Sequence, residues 1–391
     1  IYWTGNETEP GELDAWTRLG RSRSVADVLS VRHGILTPTL NMVAADTHGE
    51  IATISVGRWA DRSGRPGLLD PVAHPPVYIL PSELPLERNP RRGWVASANN
   101  RNVDDDYPYS LSGFHEPDYR IRRIGGDLDA RSKHSVADMR ALQLDLYSLH
   151  AADLMPALLE LVGESLPAWL RSDLEAWDFQ TPPASRPTLM FQVFYRHWVE
   201  ASLAHHLPLP VVDRLMDGLG VGDVPMGFCD RLLKGEHAVW WIDDARRTIA
   251  RSAMSSALAW LAERLGSDHD RWTWGALHTV TWRHPFGQIE GRHQRFVNVG
   301  PFPVGGDRTT VAPTGYDRNA LFQVTGGPSL RLLADLRRPE RTWATNTLGQ
   351  TGRPLSRHYR DQVRDFLDGR LHPIWGQPAR QRVVIEPRST P

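Results

Sequence analysis

Cysteine and lysine are nearly absent from this sequence of 391 residues. The only cysteine, Cys229, has no second cysteine to pair with, so an internal disulfide is excluded. The cysteine count therefore does not indicate whether the protein works in an oxidising or a reducing compartment. Lysine occurs only at positions 133 and 234, and we interpret the dominance of arginine as coding bias. The formal net charge of -1 creates no long-range field that would recruit nucleic acid or an anionic membrane.

Long apolar runs are also missing. No stretch approaches the roughly 18 to 20 residues of a membrane-spanning helix, and the first residues, Ile1-Tyr-Trp-Thr-Gly5, lack the charged start and apolar centre of a signal peptide. We therefore expect either a cytoplasmic protein or a chain that begins after a removed segment. With 40% hydrophobic residues, the chain can bury a large core in one large or two ordinary domains.

Hydrophobic periodicity divides the chain into three parts. Residues 39–56 alternate around a turn at Asp46-Thr-His-Gly49 and predict a β-hairpin, which the proline-rich segment 63–93 follows as a long ordered loop. From Ser135, with Asp138 as its capping-box partner, the pattern predicts helices up to residue 265. Later segments predict strands at 277–282, 296–299 and 330–336, a helix at 356–367 and a peripheral tail from 377.

The segment between the hairpin and the helices carries the most distinctive polar residues. The apolar run 94–98 predicts one buried strand, so Asn99 and Asn100 would lie at a strand end, where an amide can point into a cleft. Adjacent asparagines also cap turns through their own side chains. Spacing alone therefore leaves both a local and a functional role open for this pair.

Other chemistries have weak support in the sequence. The 16 histidines, among them His205, His206 and His278, lack the i, i+4 pair with a third ligand that a zinc helix shows, so no metal site is expected. Neither a Gly-x-Ser-x-Gly elbow nor a Ser-x-x-Lys motif occurs. The 15 tryptophans are scattered, which favours core packing, although Trp240 and Trp241 could form a wall of an acyl pocket.

Several motifs, taken in chain order, resemble the penicillin amidase family of N-terminal-nucleophile hydrolases. They are Asn41-Met-Val-Ala-Ala-Asp46 with Gly57-Arg-Trp-Ala-Asp-Arg62, Ala98-Asn-Asn-Arg101 with Tyr107-Pro108 and Asp118-Tyr-Arg-Ile-Arg-Arg-Ile124, His134-Ser-Val-Ala-Asp-Met139 with Gln143-Leu-Asp145, Trp274-Gly-Ala-Leu-His278 with His284-Pro285, Gly327-Pro-Ser-Leu-Arg331 with Asp335, and Gly349-Gln-Thr-Gly352 with Ser356-Arg-His-Tyr359-Arg-Asp-Gln362. Each motif alone is weakly specific. Their common order over nearly the whole chain makes a chance match improbable.

The resemblance implies an α+β architecture, the αββα fold of N-terminal-nucleophile hydrolases, in which stacked antiparallel sheets lie between helical layers. It implies a single β-subunit-like region over residues 1–391, with a mainly helical insertion at 135–265 and a peripheral tail at 377–391. The fold would be incomplete in this chain. In the family, the nucleophilic serine lies well upstream of the hairpin at 39–56, and residue 1 here is Ile1.

The resemblance further implies part of an acylase, an amidohydrolase that cleaves a carboxamide bond of an acylated small molecule. The family uses an N-terminal serine that forms an acyl-enzyme and whose own α-amine takes the hydroxyl proton, after autoproteolytic processing of a zymogen. A β-lactam, an acyl-homoserine lactone or a lipopeptide could be the substrate, and this chain alone would be inactive. The alternatives are a non-catalytic binding or structural relative, and a carbohydrate-binding protein with tryptophans clustered on one surface.

Matched position by position, Asn99 corresponds to the oxyanion-hole amide of the family, and Arg120 to the arginine that orients the nucleophile and the substrate. Arg120 could equally form an ordinary buried ion pair with one of the aspartates at 104–106. The resemblance implies no cofactor. Some relatives carry a calcium ion near this region, but Leu111 stands near the position of one aspartate ligand, which disfavours calcium.

The partners implied by the resemblance are a small acyl-amide substrate, an α-subunit and the missing N-terminal part of the β-subunit. Neither a nucleic acid nor a membrane partner is expected. Family members are usually exported, so the resemblance favours a periplasmic or secreted protein.

Overall fold

Two helices and a small antiparallel sheet form the N-terminal part of the protein. In this computed structural model, the described residues are 3–7, 9–61, 76–111, 115–216, 226–236, 238–241, 245–316 and 320–374. The first elements are α1 (Glu12–Leu19), α2 (Val25–Val31), β1 (Leu40–Ala45), β2 (Ile51–Val56) and β3 (Leu86–Arg88). The predicted hairpin is confirmed, with Leu40 opposite Val56, and β3 pairs with the other edge of β2.

Asp46 ties the hairpin turn to the start of α2. Its carboxylate accepts hydrogen bonds from the N–H groups of His48 and Glu50 at 2.8 and 3.1 Å, and from that of Val25 at 3.0 Å. The bond from Val25 is the main reason why the pKa of the Asp46 carboxyl lies below its usual value. The same anion thus closes the turn and stabilises the N-terminus of a helix.

A block of helices follows. Its members are α3 (Tyr119–Asp129), α4 (Val136–Gln143), α5 (Leu149–Val162), α6 (Ala168–Glu175), α7 (Arg186–Ala204), α8 (Leu209–Met216), α9 (Met226–Lys234) and α10 (Ala245–Leu265). The predicted capping box opens α4, since Ser135 and Asp138 each accept a hydrogen bond from the other's main-chain N–H. The described part of 135–265 is therefore mostly helical, while its status as an insertion within a single region stays a prediction.

Helix α7 lies at the centre of this block. Its buried residues occupy several faces of the helix, and Phe194 and Trp198 are fully buried, as expected for a core helix. Helix α10 packs along it and contributes the buried Ala253 and Ala257 to the same hydrophobic cluster. Leu158 of α5 joins the same hydrophobic cluster.

A buried carboxylate connects four of these helices. Asp230 on α9 lies 3.0 Å from Nε2 of His150 on α5 and accepts hydrogen bonds from the hydroxyl groups of Tyr119 on α3, at 2.8 Å, and Tyr195 on α7. Burial is the largest single effect and opposes both charges, but the attraction between them and the hydrogen bonds to Asp230 together outweigh it. The pKa of His150 is therefore raised and the pKa of Asp230 is lowered.

The C-terminal part contains two further sheets. Its elements are α11 (Trp274–Leu277), β4 (Thr279–Trp282), α12 (Gln294–Val297), β5 (Val299–Pro303), β6 (Gly315–Tyr316), β7 (Val324–Gly326), β8 (Leu330–Ala334), β9 (Thr342–Asn346), α13 (Val363–Leu367) and β10 (His372–Pro373). The strand orders are β5-β4-β7-β6 and β10-β9-β8. Among the described strands, only β4 and β7 pair in parallel, at Val280 and Val324. Within the same ranges, no helix has the length and apolarity needed to cross a bilayer.

The prediction of a strand at 94–98 is wrong. This segment has no regular secondary structure and pairs with no strand among the described residues. Trp94 packs against α3 instead, where its Nε1 donates to Asp129 at 2.7 Å and its ring contacts Gly125. Side-chain contacts with a helix thus replace the ladder of main-chain bonds that the apolar pattern predicts.

Other boundaries also differ from those predicted. Residues 294–297 are helical, so the strand predicted at 296–299 begins only with β5. The predicted helix at 356–367 is reduced to α13, because Tyr359 donates to the Val297 carbonyl and Gln362 accepts from the Asn346 N–H, contacts that hold this segment in turns. The proline-rich loop contains β3, whereas residues 62–75 and the tail at 377–391 lie outside the described residues.

Asp230→Asn tests the buried network. We expect a loss of about 3–5 kcal/mol of unfolding free energy at pH 6, because a charged imidazole is left without its partner. The folded-state pKa of His150 lies above 6.5, so the contribution of the pair is complete below that pH and falls as the pH rises through the folded-state value. The pKa of Asp230 lies below 3.8, so the contribution is lost again only in strong acid. Urea unfolding at pH 6 and pH 9 measures the difference.

Glu175→Gln is the matched control. It removes an exposed ion pair with Arg171, whose Nε lies 2.8 Å from the carboxylate, and should cost less than about 1 kcal/mol. If the loss of unfolding free energy in Asp230→Asn is small, or equal at both pH values, a charged pair at this position is contradicted.

Candidate active site

Asn99 lies in an exposed bend between the segment 94–98 and α3, and so it is not at the end of a paired strand. Its backbone is left-handed, with φ at 60°. Few residues other than glycine adopt this conformation, and asparagine tolerates it best. The Asn99 carbonyl accepts a hydrogen bond from the Glu116 N–H at 2.9 Å, which fixes the turn against the segment that leads into α3.

Arg120, the second residue of α3, points back at Asn99. Its Nη2 donates to Oδ1 of Asn99 at 3.0 Å. Because a guanidinium group has only donors, this bond selects the amide oxygen and turns the Nδ2 group away from the arginine. Among the described residues, that Nδ2 group meets no hydrogen-bond acceptor, so its N–H bonds are available to a ligand. The structure thus brings the two residues expected from the family resemblance into direct contact.

Asn100 has the local role that the sequence left open for both asparagines. Its Oδ1 accepts from the Ala98 N–H at 3.1 Å, and its Nδ2 donates to the Arg101 carbonyl at 2.7 Å. Both ends of this side chain are therefore used to hold the turn. Asn99 differs because its amide bonds to a separate element.

Arg120 also belongs to a charged group with Glu116 and Arg308. The Glu116 carboxylate lies 3.7 Å from Nη2 of Arg120 and accepts two hydrogen bonds from Arg308, at 2.6 and 3.1 Å. The side chains of Arg120 and Glu116 are only 14% and 18% exposed. Burial lowers the pKa of Arg120, Glu116 opposes this effect, and the guanidinium stays charged.

The alternative left open for Arg120, an ion pair with an aspartate at 104–106, has a different partner in the structure, since Arg120 lies beside Glu116. Asp105 pairs with Arg101 at 2.6 Å, four residues away along the chain. Glu116 and Arg308, which are separated by 192 positions, are not predicted from the sequence. No local spacing signals such a contact, because only the folded chain brings the two residues together.

The residues around Arg120 anchor α3 to the helical block. Tyr119 donates to the buried Asp230, Arg122 donates to Asp153 on α5 at 2.8 Å, and Arg123 pairs with Asp145. Adjacent positions of the Tyr-Arg-Ile-Arg-Arg motif thus bind different partners. Together they fix the direction in which Arg120 leaves the helix.

The other candidate residues do not form a site. His278 is buried with its Nδ1 2.7 Å from the Phe322 carbonyl, and burial lowers its pKa to about 4, so it is a neutral core residue. In the described ranges, no group of three or more His, Cys, Asp or Glu side chains could hold a metal ion. Leu111 packs with Ile79 and Leu84 in a hydrophobic cluster, so this position provides no oxygen ligand for calcium.

The tryptophans contribute mainly to packing. Trp240 donates from Nε1 to the Ser202 carbonyl at 3.1 Å, and the ring of Trp241 lies 5.7 Å from that of Trp198 in the helical core. Among the described residues, Trp3 is the only strongly exposed tryptophan. These positions favour neither a wall of an acyl pocket at 240–241 nor an aromatic surface for carbohydrate.

Known proteins resemble this chain over nearly its whole length. The sequence model of the penicillin amidase family matches residues 1–382. An acyl-homoserine lactone acylase QuiP of Pseudomonas aeruginosa is 27% identical over 408 residues, which cover 94% of this chain and 48% of that protein. A penicillin acylase 2 proenzyme of a Pseudomonas species, strain SE83, is 28% identical over 392 residues, which cover 96% of this chain and 49% of that protein. The chain therefore spans about half the length of these curated relatives.

A solved structure extends the comparison to the fold. The thermostable penicillin G acylase from Alcaligenes faecalis in its orthorhombic form superposes with a TM-score of 0.65 at 16% sequence identity, over 99% of this chain and 74% of that chain. At this identity the likeness shows the fold alone, and it confirms the N-terminal-nucleophile hydrolase fold predicted from the sequence motifs. Since the family's sequence model also matches nearly the whole chain, the protein belongs to the penicillin amidase family.

Proposed function

We propose that this chain is part of an acylase that cleaves the amide bond of an acylated small molecule through an acyl-enzyme on an N-terminal serine. The contact between Arg120 and Asn99 carries the proposal, because it turns the amide N–H bonds of Asn99 away from the arginine, where no acceptor in the described part of the chain takes them. Membership of the penicillin amidase family and the acylase names of the relatives support the same reaction class.

The geometry suggests how these residues act. Attack of the serine oxygen on the substrate carbonyl places a negative charge on the carbonyl oxygen, and the serine's own α-amine takes the hydroxyl proton. Asn99 donates from Nδ2 to that oxygen, and the charged Arg120 polarises the same amide through Oδ1, which makes Nδ2 a stronger donor. The α-amine returns this proton to the nitrogen of the substrate, the C–N bond breaks with release of the product amine, and water then hydrolyses the acyl-enzyme.

The remaining assignments belong to the complete protein. We place the nucleophilic serine outside this chain, in the N-terminal part of the β-subunit, with an α-subunit as a second partner. The name proenzyme, carried by one relative, supports autoproteolytic processing. The relatives' names favour an acyl-homoserine lactone or a β-lactam as substrate, and a lipopeptide belongs to the same chemical class. The reaction requires no cofactor, and we expect it in the periplasm or outside the cell.

Expressed alone, the chain should show no amidase activity, because it lacks the serine that combines a hydroxyl group with its own α-amine. Incubation with chromogenic phenylacetyl and fatty-acyl anilides measures this. Turnover that copurifies with the isolated chain would show that the catalytic centre lies elsewhere.

In the full-length enzyme, Asn99→Gly should lower kcat about 100-fold or more while KM changes little, because the lost donor acts only on charge that develops in the transition state. Glycine is the better truncation here, since alanine would add strain at a φ of 60°. Steady-state kinetics on a substrate of the wild-type enzyme measure the effect.

Asn100→Ala is the control for this experiment. It removes two local hydrogen bonds, so it should cost about 1 kcal/mol of stability and leave kcat within a few-fold of the wild type. Equal kcat losses in the two variants would assign both residues to the turn and remove the oxyanion role of Asn99.

A further inference from the structure

We propose that Glu116 and Arg308 are positioning residues that hold Arg120 and Asn99 in the orientation required for amide cleavage. This inference rests on the proposed function and extends it to residues outside the motifs that carry the family resemblance. It follows from three observations: the contacts of Glu116, the geometry of the Arg308 fork and the anchoring of the turn that carries Arg308.

Glu116 touches both members of the candidate site. Its main-chain N–H donates to the Asn99 carbonyl at 2.9 Å, and its carboxylate lies 3.7 Å from Nη2 of Arg120. The same Nη2 atom donates to the Asn99 side chain at 3.0 Å. One residue therefore links the backbone of the left-handed turn to the guanidinium that orients its amide.

Arg308 fixes the carboxylate of Glu116. Its Nε and Nη2 atoms bind the two oxygens at 3.1 and 2.6 Å, a two-point contact that sets both the position and the rotation of the carboxylate. These distances are shorter than the 3.7 Å to Arg120, so Glu116 is paired more tightly with Arg308. Arg120 is thus attracted to Glu116 while it keeps its hydrogen bond to Asn99 and its positive charge near the oxyanion.

The turn that carries Arg308 is itself anchored in the core. Asp307 is 2% exposed, and its carboxylate accepts from the N–H groups of Thr309 and Thr310 at 2.6 and 3.1 Å and from Nε2 of Gln192 at 2.6 Å. Gln192 lies on the central helix α7. A continuous series of contacts therefore runs from the core through Asp307 and Arg308 to the candidate site.

An ordinary surface ion pair would differ from the Glu116–Arg308 pair in its exposure and in its effect on the reaction. The Glu116 and Arg308 side chains are 18% and 31% exposed, whereas those of Arg171 and Glu175 are about half exposed. A surface pair would also affect stability slightly and leave the reaction unchanged. A positioning pair should change kcat, because displacing a reacting group by about 1 Å can cost up to 100-fold.

The test uses the full-length protein with Glu116→Gln, Arg308→Gln, the double variant and the control Glu175→Gln. We expect each site variant to lower kcat by about 10- to 100-fold while KM stays within a few-fold. The double variant should be about as slow as either single variant, because both remove the same contact. Arg308→Lys should be faster than Arg308→Gln but slower than the wild type, since lysine keeps the positive charge but cannot bind both carboxylate oxygens as the guanidinium does. Melting temperatures and subunit masses report folding and processing.

Each possible result decides one claim. If the wild type is active and Glu116→Gln retains its kcat, the positioning inference is wrong and the proposed function stands. If the wild type hydrolyses none of the tested acyl amides, the proposed function fails. In that case, and also where a variant is not processed, crystal structures of the wild-type and Glu116→Gln proteins test the positioning inference. If Nη2 of Arg120 and Oδ1 of Asn99 lie beyond hydrogen-bond range in the variant, the inference is supported. If their distance stays near 3.0 Å, the inference is overturned.

Discussion

The buried carboxylate of Asp230 needs partners, and satisfying it determines where helix α3 lies. A negative charge in an apolar core is tolerated only when it is paired and hydrogen-bonded. Here the partners come from three other helices, and one of them, Tyr119, is the first residue of α3. Arg120 follows immediately. The position of the guanidinium is therefore a consequence of how the helical core neutralises its own charge.

The chemistry of arginine then determines the orientation of the amide. A donor-only group opposite Asn99 allows one rotamer of the asparagine to form a hydrogen bond, the one that presents oxygen to the arginine. The opposite rotamer would place two donors against each other. An exposed asparagine side chain thus acquires a defined direction without being packed, because the Arg120 side chain that orients it is only 14% exposed.

Features encoded by nearby residues could be predicted from the sequence. The hairpin, the capping box at Ser135 and the long helical block each follow from local alternation, capping chemistry or a helical period, and the structure contains all of them. The prediction of a strand at 94–98 is wrong because an apolar pattern does not distinguish a strand from an unpaired segment packed on a helix. A family motif indicates Asn99 and Arg120, whereas only the folded chain shows Glu116 and Arg308, since their contact spans 192 positions.

The left-handed backbone at Asn99 restricts the set of amino acids that position 99 can accept. Glycine, asparagine and aspartate adopt that conformation readily, while serine, threonine and glutamine would add about 1–2 kcal/mol of backbone strain. Of the three tolerated residues, glycine has no side chain and an ionised aspartate has no donor. Only asparagine satisfies both the backbone and the oxyanion. Sequence divergence at this single position would therefore separate relatives that retain the chemistry from those that keep only the fold.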